Sequence, residues 1–594
     1  MRSLSSGTII LLIMFASLGV ATTEQPEDKD VDIILDLKVP MRDGVRLSAR
    51  VWKPSRMESP LPTVLVFTPY ISDESQGRGM FFARNGYVYV SIDVRGRGNS
   101  EGVFYPLEGD KHSKDIHDAI KWLAEQSWSD GRFVMRGGSY RGTVQWQALL
   151  EKPNELKTIV PTAAAYPGVD FPFYKNVFSS YDTRWLAFTS GLTGNAQLFA
   201  DGEYWNSKFL KMYTEHIPYS RLWEIVGIPP RLFKRWLQHP YLDEFWRSFS
   251  PSPEDYTAID FPILTITGYF DGDQPGAMMH YKQFMQHAGE EAIAKHYLLI
   301  GPWDHAGTRH PSRKLGGLTL GENSVIDMEE LHLQWYDWIL KAGDRPEILK
   351  DKVNYYVIGP NVWKHASTLE AVSNDKKVWY LSSPNSDAHD VFNSGILCLE
   401  PADSEPPDSF EYDPLNTDIG KKEALINTGS YFTDQSEAFR GEKVIYHSPP
   451  LSADLEVAGT MTLEAWISLN VPDTDIQVSL YEIKPDGTGV ALGGTLLRAR
   501  YRKSLSRAEL VIPGEVELYR FDGFYFFSRV LSEGSRLRLI ISSSNTPQMQ
   551  KNYNSGGFVA EETAENAQTA VITLYHDDQH QSRLILPIVS DMER

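Results

Sequence analysis

The chain has 594 residues, of which 42% are hydrophobic, 23% charged and 12% aromatic, a globular composition that supports three or four domains rather than one core. Its formal charge of −20 argues against nucleic acid or an anionic membrane surface as a partner, since both are drawn to basic faces. The only cysteine, Cys398, leaves no intramolecular disulfide and no cysteine-based metal site.

At the N-terminus Arg2 is followed by an apolar run from Gly7 to Ala21 that closes on the small-residue end Gly19-Val20-Ala21 and gives way to polar sequence. This pattern predicts a cleavable secretory signal over residues 1–21. The run is shorter than the roughly 20 residues a spanning helix needs. A secreted or periplasmic protein is expected, with no membrane attachment of the mature form.

From residue 30 to 166, short apolar runs alternate with helical patterns. Thr63–Phe67, Tyr87–Ile92, Phe133–Met135 and Thr158–Thr162 have the character of buried strands. Ile116, Ala119, Ile120, Leu123 and Ala124 share one face of an intervening helix. That alternation predicts a parallel sheet with helices on its faces. It stops at residues 167–250, where aromatic residues and helix formers predominate and a helical cap is expected. The strands return at Phe261–Thr267 and His296–Ile300, so residues 251–350 are the second part of the same sheet domain. Residues 351–594 show period-2 alternation broken by turns such as Pro485-Asp486-Gly487, which predicts an all-β sandwich or barrel. Within them Glu400–Pro414, rich in Pro, Asp and Ser, is expected to be an exposed loop.

The chemistry concentrates at Gly137-Gly138-Ser139-Tyr140-Arg141-Gly142. A serine among glycines, with a strand before it and a helix after it, has the context of a nucleophile elbow, although the same residues also suit a turn whose serine merely caps a helix. A nucleophilic serine needs a base, and the base an orienting carboxylate. In this architecture the order is serine, acid, histidine, each at the C-terminal end of a later strand. Asp271 and His305 stand at those places. Asp273 and Asp304 are rivals for the acid, and His280 and His310 for the base, but neither histidine follows a strand. Ser100, in Gly96-Arg97-Gly98-Asn99-Ser100, lacks an immediate helix and is taken as structural.

Together with Asp93-Val94-Arg95-Gly96-Arg97-Gly98, Thr68-Pro69-Tyr70, Gly268-Tyr269-Phe270-Asp271-Gly272 and Gly301-Pro302-Trp303-Asp304-His305, the serine motif resembles that of the cocaine esterase and X-Pro dipeptidyl-peptidase family, which includes α-amino acid ester hydrolases and cephalosporin acylases. Further matches lie at Asp473-Thr474-Asp475 and Arg498–Arg502, so the likeness spans nearly the whole chain. The resemblance implies an α/β-hydrolase domain with an inserted helical cap and a C-terminal jelly roll. It implies Ser139 as nucleophile, Asp271 and His305 as its partners, and an oxyanion hole from the Tyr140 N–H and the Tyr70 hydroxyl.

The expected activity is hydrolysis of small esters, amides or short peptides through an acyl-enzyme, with no metal or cofactor. An X-Pro dipeptidyl-peptidase, an α-amino acid ester hydrolase or β-lactam acylase, and a catalytically silent binding protein stay open as alternatives. Substrates with a free amino group call for carboxylates near the pocket, because a desolvated ammonium must be paired. Asp243 and Glu244 are candidates for this, although capping or solvating a helix suits them as well. Arg141, if it faces the pocket, favours a carboxylate instead. Oligomeric state is not written in these patterns.

Overall fold

The computed structural model describes residues 30–424, 431–439 and 441–590. The segment expected to be a secretory signal lies outside them. Runs of β-branched and aromatic residues without polar interruption make strands buried on both faces, and such strands pair in parallel beneath helices. The first half of the chain does this. Its strands are β1 (Val31–Pro40), β2 (Arg46–Pro54), β3 (Leu61–Thr68), β4 (Val88–Asp93), β5 (Ser129–Gly138), β6 (Leu156–Thr162), β7 (Ile263–Phe270), β8 (His296–Asp304), β9 (Val353–Val357) and β10 (Val362–Ala366).

They form one ten-stranded sheet in the order β1-β2-β4-β3-β5-β6-β7-β8-β9-β10. Pairing is parallel from β4 to β9 and antiparallel at both edges. The sheet therefore continues past residue 350, where the all-β region was expected to begin. The run Val353-Asn354-Tyr355-Tyr356-Val357 is buried throughout, and such a pattern suits a strand of either domain.

Alternate residues of the central strands serve two cores. Leu65, Phe67, Phe133 and Met135 pack with Ile116, Ile120 and Leu123 of helix α2 (Gly109–Ala124). Val64, Val66, Val134 and Val160 face the opposite way, onto Leu331 and Trp335 of the helix Met328–Leu340 and onto Phe82 of α1 (Gln76–Arg84). With both faces covered, only the strand ends are open to a substrate.

Between β6 and β7 the chain leaves the sheet for a two-stranded hairpin, Phe173–Tyr174 with Val177–Phe178, and a run of short helices that includes Tyr181–Phe188, Gly202–Thr214 and Pro230–Leu237. Its aromatic residues mostly face inward: Trp185, Trp205, Trp236 and Trp246 are buried.

Among the described residues the C-terminal domain is a thirteen-stranded sheet system, antiparallel except where Gly395–Cys398 meets Lys443–His447. One of its strands, Asp408–Tyr412, corrects the expectation of an exposed loop at Glu400–Pro414. Phe410 and Tyr412 alternate inward while Ser409 and Glu411 face out, and the prolines before the strand masked that alternation. The domain also reaches the catalytic sheet. Gln274, just beyond β7, donates to the Phe526 carbonyl at 2.9 Å and accepts from the Phe526 N–H at 2.6 Å.

Candidate active site

The C-terminal ends of β3, β5, β6, β7 and β8 deliver Tyr70, Ser139, Asp170, Asp271 and His305 to one edge of the sheet. Ser139 links β5 to helix α3 (Tyr140–Gln147) and has φ 62° and ψ −132°, a conformation that a non-glycine residue holds only under constraint. Its N–H is held by the Thr162 and Ala163 carbonyls at 3.0 and 3.1 Å. Ala163 at φ 46° and Ile71 at φ 72° are also left-handed, and a β-branched residue there is a marked outlier. Strain thus gathers at the ends of three neighbouring strands, around one crevice.

Tyr140 opens α3, so its N–H has no intrahelical acceptor and points from the positive end of the helix dipole. Its side chain runs into the core, where the hydroxyl meets His112 of α2 and the ring stacks on Trp185 at 5.9 Å. Tyr70 faces the serine from the end of β3. Trp185 donates its indole N–H to the Tyr70 oxygen at 3.1 Å, and Tyr70 is within hydrogen-bonding reach of the Ser139 side chain. Burial pushes the Tyr70 hydroxyl pKa up, so the phenol keeps its proton as a donor. The cap closes over it: Phe188 stacks on Tyr70 at 5.1 Å and Phe199 on Phe188 at 4.8 Å.

Asp271 and His305 meet, with His305 Nδ1 2.7 Å from Asp271 Oδ1. Asp271 is fully buried, and it also accepts from the Thr267 hydroxyl at 3.2 Å and the Asp273 N–H at 3.0 Å. These bonds fix the carboxylate, and through it the imidazole tautomer and plane. Burial opposes the charge on His305, but the nearby carboxylates of Asp273 and Asp271 outweigh it and raise the His305 pKa above its ordinary value.

Asp273 is more than a rival for the acid. Its Oδ2 lies 3.7 Å from His305 Nδ1 and its side chain is 20% exposed. Burial, with the Asp271 charge beside it, raises its pKa to about 6 despite His305. Asp170, in the loop after β6, accepts from the Tyr166 N–H at 2.8 Å and the Gly276 N–H at 2.5 Å. Burial and the Asp273 charge push its carboxyl well above the ordinary range. Asp170 thus pairs with Asp273, and Asp273 faces the histidine. Sequence reasoning missed Asp170 entirely; the available signal was an acid in the loop after a parallel strand.

The candidates Asp243 and Glu244 are placed otherwise. Asp243 caps the helix Glu244–Arg247 through the Trp246 N–H at 3.3 Å and pairs with His239 at 2.6 Å, while Glu244 is exposed. Asp243 thus takes the capping role left open in the sequence, and Glu244 lies exposed in the first turn of the helix it caps. Arg141 packs its guanidinium over the Tyr70 ring at 5.4 Å and lies 3.7 Å from Glu74. Of the other rivals, His280 is stacked on Trp146 at 4.8 Å with its pKa pushed down by burial to about 3. Asp304 accepts from the Gly307 N–H at 2.7 Å, and His310 sits 3.4 Å from Arg78. Ser100 is buried, donating to the Asp93 carbonyl at 2.6 Å and accepting from the Ser48 N–H at 2.8 Å.

A parallel sheet with these groups at its strand ends defines the molecule as an α/β-hydrolase with a separate C-terminal β domain. Comparison with known proteins gives the family. Residues 43–307 match the X-Pro dipeptidyl-peptidase (S15 family) model, and residues 349–585 match the X-Pro dipeptidyl-peptidase C-terminal non-catalytic domain. The chain is 27% identical to the cocaine esterase of Rhodococcus sp. (strain MB1 Bresler), over 95% of this chain and 99% of that protein. An aminopeptidase from a marine sediment archaeon, Thaumarchaeota archaeon, superimposes with a TM-score of 0.81 at 22% identity, covering 97% of this chain and 99% of the other. An α-amino acid ester hydrolase does so with a TM-score of 0.79 at 21% identity, covering 97% and 100%. The chain belongs to the X-Pro dipeptidyl-peptidase S15 family of hydrolases, the family of cocaine esterase.

The electrostatics of the site generate a pH prediction. Removing the Asp273 charge withdraws one of the two carboxylates that raise the His305 pKa, so Asp273→Asn should move the acidic limb of the kcat/KM profile to lower pH. Measured with an ester that lacks an amino group, a limb that stays in place or moves upward would contradict the arrangement.

Proposed function

We propose that the protein cleaves ester or amide bonds of small acyl substrates through an acyl-enzyme on Ser139. The observation that carries this reading is the His305–Asp271 pair, 2.7 Å apart, delivered to the same sheet edge as a serine in a strained elbow. On this reading the Ser139 hydroxyl attacks the scissile carbonyl carbon and passes its proton to His305 Nε2, while Asp271 holds the Nδ1 proton and supports the imidazolium. The Tyr140 N–H and the Tyr70 O–H donate to the oxyanion, a contribution typically worth roughly 3–4 kcal/mol per donor. His305 then protonates the leaving alcohol or amine, and water repeats the sequence on the acyl-enzyme. The aromatic cap over Tyr70 supports an apolar or aromatic acyl group.

A specific observation favours a second reading of the substrate. Asp170 and Asp273 form a carboxylate pair of which Asp273 faces the base, and their raised pKa values mark burial that the His305 and Arg309 charges do not offset, leaving a place for a further cation. A substrate ammonium would supply one, as the free amino group of an amino acid ester or a peptide N-terminus does. The aminopeptidase and the α-amino acid ester hydrolase among the structural neighbours are consistent with this, while the cocaine esterase relative is consistent with the broader ester reading.

Two experiments separate these claims. Ser139→Ala should lower kcat for p-nitrophenyl esters at least about a thousandfold with an unchanged urea midpoint; retained activity would move the nucleophile elsewhere. Asp170→Asn should lower kcat/KM for amino acid p-nitroanilides by about tenfold or more while leaving p-nitrophenyl acetate within about twofold, since loss of one charged contact to a desolvated ammonium costs a few kcal/mol. Equal losses on both substrates would remove the ammonium reading and leave the esterase reading standing.

A further inference from the structure

Beside the elbow, against Gly137 and Gly138, lies a small cavity of about 20 Å³ whose wall carries the guanidinium groups of Arg78, Arg136, Arg141 and Arg309. Two carboxylates pair with these cations, and Arg309 also acts on Asp273 across the site. Glu329 is fully engaged: Oε1 accepts from Arg78 Nε at 2.8 Å and Oε2 binds Arg136. Despite its burial, the Arg136 and Arg78 charges hold its carboxyl well below the ordinary range. Glu74 is 3.7 Å from Arg141 with its own side chain 46% exposed, so solvent screens it. The cluster keeps an excess of buried positive charge. Burial, with Arg78 adding to it, pushes the Arg141 pKa down.

Three polar atoms of residues that line the cavity are buried and find no hydrogen-bond partner among the described residues: Arg141 Nε, Arg309 Nη1 and Thr162 Oγ1. Two belong to guanidinium groups, which only donate. Buried donors are nearly always satisfied, and a group of them around one space calls for an acceptor. The volume exceeds the roughly 10–15 Å³ that one water-sized sphere requires, room for one small ion. A water can give one proton to Thr162 Oγ1, but the guanidinium groups offer no acceptor for the other, and a neutral water leaves the surplus charge in place. A spherical anion accepts from all three donors and offsets the surplus charge.

We propose that this cavity is a binding site for a single halide ion, chloride in the working protein, held by Arg141, Arg309 and Thr162. Both arginines also act on the active site. Arg309 Nη1 stands where a Cβ on Gly138 would approach it to 2.6 Å, and the charges of Arg141 and Arg309 bear on the Tyr70 hydroxyl. A halide between them couples the anion content of the medium to the field behind the oxyanion side of the elbow. The site does not depend on the hydrolase reading, and its test does not use activity.

Crystals of the full chain grown without halide and soaked in sodium bromide should give a bromine anomalous peak within hydrogen-bonding distance of Arg141 Nε, Arg309 Nη1 and Thr162 Oγ1. In solution, bromide should raise Tm relative to sodium gluconate at equal ionic strength, following the mass action of a ligand bound only by the folded chain. Thr162→Val keeps the shape and removes one donor, so the bromide needed for half the Tm shift should rise several-fold. Arg309→Gln should raise it further. A cavity without an anomalous peak, or a Tm that responds equally to bromide and gluconate, would overturn the proposal.

Discussion

The backbone of Ser139, held at φ 62°, is the constraint on which the rest of the site depends. It is imposed by close packing. A Cβ on Gly137 would run into the Arg141 Cβ, and one on Gly142 would come to 2.7 Å from the Thr162 carbonyl. Strand β5, helix α3 and the end of β6 can approach this closely only where side chains are absent. The consequences follow from the turn. The serine hydroxyl stands clear of the sheet, the first N–H of α3 stays free beside it, and the Tyr140 ring is driven into the core against Trp185. A helix started one residue earlier or later would present none of these together.

Around that turn the charges are sorted. Asp170, Asp271 and Asp273 gather on the histidine side, and Arg78, Arg136, Arg141 and Arg309 gather against the two glycines that lead into the serine. Arg309 bears on both groups: its charge lowers the pKa of Asp273 and of His305, and it also acts on Tyr70. Neither set is neutralised within itself. In the carboxylate set the imbalance appears as the raised pKa values of Asp170 and Asp273; in the arginine set it appears as donors without acceptors among the described residues. The C-terminal domain is part of this balance, because Phe526 grips Gln274 and so holds the turn that carries Asp271 and Asp273.

The sheet was legible in the chain because its strands are nearly uninterrupted apolar runs and its helices have one apolar face. The elbow was legible because only a few contexts demand a serine among glycines between a strand and a helix. Asp271 and His305 could be located by strand ends and chain order alone, and the structure brings them to 2.7 Å. Tyr70 was not legible in this way, and only family resemblance pointed to it. Asp170 and the arginine cluster were illegible for a different reason. Their members come from α1, β5, α3 and the loops after β6 and β8, so no spacing along the chain links them. Local texture misled at Asp408–Tyr412, where prolines and acids hid a two-residue alternation. It also misled at Val353–Val357, where a buried strand gives no sign of which sheet it joins.

The central claim is that Ser139 is a nucleophile activated by His305. Reaction of the folded chain with a fluorophosphonate probe, followed by peptide mapping, tests it most directly. The account predicts one adduct per chain, on Ser139, formed rapidly by the folded protein, slowly by His305→Ala and not at all after denaturation. A folded chain that takes no label, or carries it on another serine such as Ser100, would contradict it.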